Sequence, residues 1–176
     1  MSSELRVDRI IPLDGVPNDG GGGIIQIKSV TKTDTFQTSS SSFTDITGLS
    51  VSITPKSSSN KILILINLTG DGRSGQARAN FRLMRGSTAI CIGDSAGSRP
   101  RSTFGIYDPT DDHSADNASM TFLDSPATTS AVTYKMQMHN GNAEGSNVSI
   151  NRAYSWSDSQ AHPATTSTIT VMEVSA

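Results

Sequence analysis

Lys61-Ile-Leu-Ile-Leu-Ile-Asn-Leu-Thr69 is the densest apolar run in the chain and restricts its fold more than any other stretch. Successive side chains of a strand point to opposite faces, so Ile62, Ile64, Ile66 and Leu68 line one side while Leu63 and Leu65 line the other. Such a strand is expected to be buried on both faces. Its five consecutive apolar residues, Ile62 to Ile66, are too few to cross a bilayer. A helix would carry its apolar stripe past Thr69, where Gly70-Asp71-Gly72 is expected to break the strand.

The rest of the chain from Ile24 reads as short β-like segments separated by clusters of Ser, Thr, Gly, Asn, Asp and Pro. Expected strands cover 24–30, 35–37, 49–54, 61–69, 78–85, 88–92, 119–123, 131–140, 147–154 and 168–174, with an irregular one around 102–107. Alternation is clearest in Leu49, Val51 and Ile53, and in Val132, Tyr134, Met136 and Met138. The partners of the second set, Thr133, Lys135, Gln137 and His139, predict a wet face. Arg85-Gly-Ser-Thr88 signals a tight hairpin, because glycine supplies the positive φ of a two-residue turn. About ten short strands with regular turns predict an all-β protein, a two-sheet sandwich or jelly roll, with a barrel as the alternative.

Residues 1–23 differ in kind and are expected to form an arm and hinge, with the β-sandwich domain in 24–176. Leu5, Val7, Ile10, Ile11 and Leu13 would be exposed on an isolated arm, which points to docking on the parent domain or another protein. Gly20, Gly21, Gly22 and Gly23 maximise backbone freedom between arm and domain. The opening residues Met1 to Arg6 lack the apolar core of a secretory signal, so synthesis in the cytoplasm without a signal peptide is expected. With 14 basic and 16 acidic residues the formal charge is −2, which gives no general attraction to nucleic acid or anionic membrane. Cys91 cannot form an internal disulfide, and its apolar run Ala89 to Ile92 predicts a small buried thiol.

The order of several segments resembles a family of small bacteriophage virion proteins frequent in cyanophages. The segments are Leu5-Arg-Val-Asp-Arg-Ile10, Phe43-Thr-Asp-Ile-Thr-Gly-Leu-Ser-Val-Ser-Ile-Thr-Pro55, Ser57-Ser-Ser-Asn-Lys-Ile-Leu-Ile64, Arg82-Leu-Met-Arg-Gly-Ser-Thr-Ala-Ile90 and Ser167-Thr-Ile-Thr-Val-Met-Glu-Val174. The resemblance covers most of the chain and is weakest in 93–130 and in the glycine hinge. It implies a jelly roll similar to tumour necrosis factor and complement globular-head domains, which commonly form trimers, and it implies no catalytic residues or cofactor. Independently, a strand apolar on both faces needs more cover than one small sandwich gives, and a trimer would bury the second face. Ile62, Leu63, Ile64, Leu65 and Ile66 are therefore expected in core or oligomer contacts. The implied setting is the virion, as a fibre, tail-associated or head-decoration component held to other tail or capsid proteins through residues 1–23.

Other chemistry is weaker in the sequence. Asp108, Asp111, Asp112 and Asp116 gather hard oxygen ligands, but lack the spacing and closing glutamate of an EF-hand, so a solvated acidic loop is expected with calcium as the alternative. His113, His139 and His162 stand singly, without zinc-ligand spacing. No Gly-X-Ser-X-Gly context or carboxylate pair suggests a hydrolase. Tyr154 and Trp156 lie in a polar loop where aromatic faces could stack on sugar rings. A lectin-like module recognising host surface glycan is thus the alternative function, and subunit packing explains the single tryptophan equally well.

Overall fold

The computed structural model describes residues 23–72, 77–107, 113, 115–142, 146–153 and 155–176. The docking residues Leu5, Val7, Ile10, Ile11 and Leu13, the hinge residues Gly20 to Gly22, and Asp108, Asp111, Asp112 and Tyr154 lie outside them. Among the described residues there are eleven strands and no helix. They are β1 (Ile24–Lys32), β2 (Phe36–Thr38), β3 (Thr44–Ile53), β4 (Lys61–Gly72), β5 (Ala79–Arg85), β6 (Thr88–Ile90), β7 (Phe104–Ile106), β8 (Asp116–Asp124), β9 (Val132–Asn140), β10 (Val148–Ile150) and β11 (Ser167–Val174). No helix of the described chain is long and apolar enough to cross a membrane.

The strands form two antiparallel sheets packed face to face. The front sheet runs β1-β11-β4-β10-β2, with β8 on the other side of β4. The back sheet runs β3-β9-β5-β6, and β7 follows β6 along the same edge of β5. Period-two alternation supplies the core between them. Ile62, Ile64, Ile66 and Leu68 of β4 are buried, as are Ile169 and Val171 of β11, and they meet Phe81 and Leu83 of β5 and Tyr134, Met136 and Met138 of β9. Phe104 tilts against Phe81 at 5.3 Å between ring centres, so β7 closes one side of this core.

The expected break after Thr69 does not occur. β4 continues to Gly72, because its end pairs with β10 through Gly70↔Ile150 and Gly72↔Val148. A side chain at Gly70 would meet the Ser149 carbonyl oxygen at 2.6 Å, and one at Gly72 the Ala77 carbonyl oxygen at 2.8 Å. The glycines that look like breakers in the sequence let neighbouring backbone approach closely.

β3 begins five residues before its expected start. Asp45 lies opposite Gln137 and Ser50 opposite Lys135, so the chain between them bulges out of register. Gly48 at φ 84° turns the bulge, which keeps both Ile46 and Leu49 in the core. The predicted hairpin forms as expected, with Gly86 at φ 58° and Arg85 opposite Thr88.

Two single-residue expectations are corrected. Cys91 is exposed, because β6 stops at Ile90 and Cys91 at φ 50° turns the chain away from the sheet. His139, expected on a wet face, is buried beneath Phe43, whose ring meets the imidazole edge-on at 4.3 Å between centres. Alternation assigns His139 to the outer face of β9 correctly. It carries no information that a loop residue covers that face.

Candidate functional site

The register of the front sheet determines which side chains share its outer surface. Leu63 of β4 lies opposite Met172 of β11 and Leu123 of β8, and Met172 lies opposite Ile27 of β1. Four large apolar side chains therefore form a row across four strands on the side away from the core. Ile27 is 54% exposed, Leu123 47% and Leu65 36%. Leu63 and Met172, in the middle of the row, are half-buried. The inner face of β4 is thus sealed, whereas its outer face has only the partial cover that one chain provides. Ile24 and Ile25, at the start of the edge strand β1, extend this exposed apolar surface.

Further along the same face the character changes. Asn67, Ser119, Thr121, Thr168 and Thr170 surround Leu65 in an open depression of about 530 Å³. Ser29 and Thr170 share a hydroxyl hydrogen bond of 2.8 Å, and Asn117 Nδ2 donates to Asn67 Oδ1 at 2.6 Å. An apolar centre thus lies beside a hydrogen-bonding border on this face.

Buried polar groups hold this surface in shape. Glu173 on β11 points inward with no exposed surface. It accepts hydrogen bonds from Asn60 Nδ2 and the Lys56 N–H at 2.6 Å, and from Gln26 Nε2 at 2.5 Å. The carboxylate thereby ties the 54–60 loop to β1 and β11. Burial raises its pKa, but the bonds from Asn60, Gln26 and the Lys56 and Ser57 backbone outweigh that, leaving it below the ordinary glutamate value. A lowered carboxyl pKa stabilises the fold above the unfolded pKa and is lost as pH falls through the folded one. In thermal melts between pH 3 and 7, Glu173→Gln is expected to flatten part of the stability loss below about pH 4.5. The shares of Asp34 and Asp45, whose pKa values hydrogen bonds from Lys32 and Lys135 respectively lower, should remain. An unchanged acid limb would mean that Glu173 is not part of it.

The second buried set joins the sheets. Tyr134 O–H donates to Asp124 Oδ2 at 2.6 Å, and Arg85 Nη1 donates to both Asp124 oxygens at 2.9 and 3.0 Å. Burial, reinforced by the carboxylate it faces, pushes the Tyr134 pKa well above the ordinary phenol value. Asp124 terminates β8 directly after Leu123, so this network fixes one end of the apolar row.

Residues 151–153 and 155–166 lie at the other end of the sandwich. β4 begins beside Val174, and Val174 pairs with Ile24, whereas the far end of β4 pairs with β10. Gly23 and the Trp156 loop therefore emerge at opposite ends. Trp156 is 37% exposed, with the Arg152 guanidinium 5.4 Å from its ring centre. His113 and His162, far apart in sequence, stack at 5.3 Å with their planes 13° apart. His162 Nδ1 lies 3.0 Å from Ser157 Oγ and accepts from the Ser157 N–H at 3.2 Å. The pair closes a short loop, and His162 Nε2 has no hydrogen-bond partner among the described residues.

Asp116, grouped with the acidic loop in the sequence, is an exposed residue of β8 opposite Gly70. Among the described residues no group of three or more His, Cys, Asp or Glu side chains is arranged to hold a metal ion.

Sequence reasoning identified Leu63 and Leu65 but missed Ile27, Leu123 and Met172. Each lay in or beside a recognised strand. Only the pairing of β1, β11, β4 and β8 shows that they form one row. No protein-family model matches the chain, and no curated protein matches it.

Proposed function

We propose that the protein is a non-catalytic structural component of a bacteriophage virion, a fibre, tail-associated or head-decoration protein that assembles as a homotrimer and is anchored through residues 1–23. The observation that carries this reading is the apolar row Ile27, Met172, Leu63 and Leu123, left only partly covered on a sheet whose inner face is already sealed. A jelly-roll description is supported by the strand order: sheets β1-β11-β4-β8 and β3-β9-β5 followed by β6 and β7 pair early strands with late ones across the whole chain. Closed cyclic symmetry buries such a row without leaving a sticky end, which suits a repeated appendage. The two ends of the sandwich also divide the work. Gly23 leaves from one end toward an anchor, and the Trp156 loop faces away from it.

Light scattering of the full chain is expected to give three times the 18.5 kDa chain mass. A mass of 18.5 kDa at micromolar concentration would overturn the trimer. Deleting residues 1–13 should leave that mass ratio intact while removing the protein from purified particles, and normal incorporation would overturn the anchoring role.

A second reading, a lectin-like module for host surface glycan, draws on the exposed indole of Trp156. Binding on a glycan array that disappears in Trp156→Ala would favour it. Absence of binding in the intact protein would leave the loop a structural role.

A further inference from the structure

We propose that the contact between Phe43 and His139 is an acid-released clasp that holds residues 39–45 on the back sheet. The His139 ring is 5% exposed, and neither ring nitrogen has a hydrogen-bond partner among the described residues. Such a pairing of a buried polar ring with no acceptor is tolerated only for the neutral imidazole, which packs as an aromatic against Phe43. Phe43 is also held by Arg82, whose guanidinium lies 4.0 Å from the Phe43 ring centre while its Nε donates to Gln137 Oε1 at 2.8 Å. Beside this edge-on contact, the Asn140 N–H donates to the Ser40 carbonyl at 2.8 Å, and Thr44 and Asp45 pair with Met138 and Gln137.

A proton on His139 has no place in this arrangement. The charged groups on the surrounding strands are Arg82 and Arg85 on β5 and Arg78 just before it, Lys135 on β9 itself, and Asp45 on β3; Arg85 is taken up by Asp124, and residues 39–43 contribute none. The Asp45 carboxylate is already engaged by Lys135 Nζ and Gln137 Nε2, both at 2.6 Å, and the Arg78 guanidinium lies 5.2 Å from the Tyr107 ring centre. An imidazolium would add a further cation beside Arg82, with no side-chain acceptor for its two N–H groups and only the Asn140 backbone nearby to favour it. Phe43 packs edge-on against the buried ring, so protonation is coupled to release of the 39–45 segment. Burial lowers the His139 pKa; the Asn140 backbone, nearby but outside hydrogen-bonding geometry, pulls it partly back, and the Arg82 charge depresses it further.

The sign follows from proton counting. With the clasp closed the ring binds protons less readily than when open, so closure is favoured above the ordinary histidine pKa and lost as pH falls below it. Between about pH 6.5 and the depressed value of the closed state, closure weakens about tenfold per pH unit.

Amide hydrogen exchange of the full chain, corrected for intrinsic rates, tests this. Protection of the Asn140 amide should fall about tenfold per pH unit below about pH 6.5, while β4 and β11 amides stay protected. His139→Leu should flatten the Asn140 response, and the double variant His113→Gln, His162→Gln should keep it. Wild-type protection that is constant down to pH 5, or an equal fall in His139→Leu, would overturn the clasp. If His139→Leu does not fold, ring titration of the wild type by NMR decides. A His139 midpoint below the ordinary histidine value, coincident with loss of Asn140 protection, supports the clasp. A midpoint at the ordinary histidine value overturns it.

Discussion

Leu63→Asp is expected to convert the proposed trimer to monomer and to lower stability as well, because the carboxylate would sit between Met172 and Leu123 with no cation opposite. Ile27→Asp separates the two effects. Ile27 is 54% exposed on an edge strand, so a charge there meets water in the single chain and is desolvated only when a partner covers the row. Loss of association of at least about 100-fold, near 2.7 kcal/mol per interface, is expected for Ile27→Asp, with a melting temperature of the dissociated chain within a few degrees of wild type. Sedimentation of both variants at several concentrations would measure this. A trimer that survives Ile27→Asp unchanged would remove the outer face of the front sheet from the interface.

Asp124→Ala is expected to be the most damaging single change to the fold itself. It leaves the Tyr134 hydroxyl, whose residue has no exposed surface, without its acceptor, and it deprives Arg85 of both of its short bonds to a carboxylate. Arg85 is partly exposed, with side-chain exposure of 31%, and can rehydrate; Tyr134 cannot. A loss of about 3 kcal/mol is expected, the lower end of the range for breaking a buried charged pair, or roughly 6–12 °C in melting temperature for a chain of this size. Tyr134→Phe should cost only about 1 kcal/mol, since it removes one neutral donor and leaves Asp124 paired with Arg85. Denaturant melts of both variants and their combination would test the ordering. Equal losses for the two single variants would mean that Asp124 acts only through Tyr134.

Much of the architecture could be read from residue pattern. Leu49, Val51 and Ile53, and Val132, Tyr134, Met136 and Met138, point into the core as their alternation requires, and the hairpin at Gly86 forms where its residue types place it. Three features could not be read so. Gly70 and Gly72 carry the signal of a strand break, yet continue β4, because what they accommodate is the backbone around Ser149 and Ala77, remote in sequence. Cys91 lies in an apolar run but outside the strand that the run begins. His139 has the wet-face position that alternation assigns and is nonetheless buried by Phe43, nearly a hundred residues away.

Residue pattern alone specifies β structure, the positions of nearly all the strands and the two-faced apolar character of Lys61 to Thr69. These depend on period-two alternation and on turn residues, which are local properties. Which faces meet depends on the packing of the whole sandwich. β1 and β8 come to lie on opposite sides of the β11-β4 pair, and that pairing gathers Ile27, Met172, Leu63 and Leu123 into one row although they are scattered through the chain. Strand register is set by long-range hydrogen bonding rather than by neighbours in sequence. Side chains with nothing in common locally therefore become a single surface only when the sheet forms.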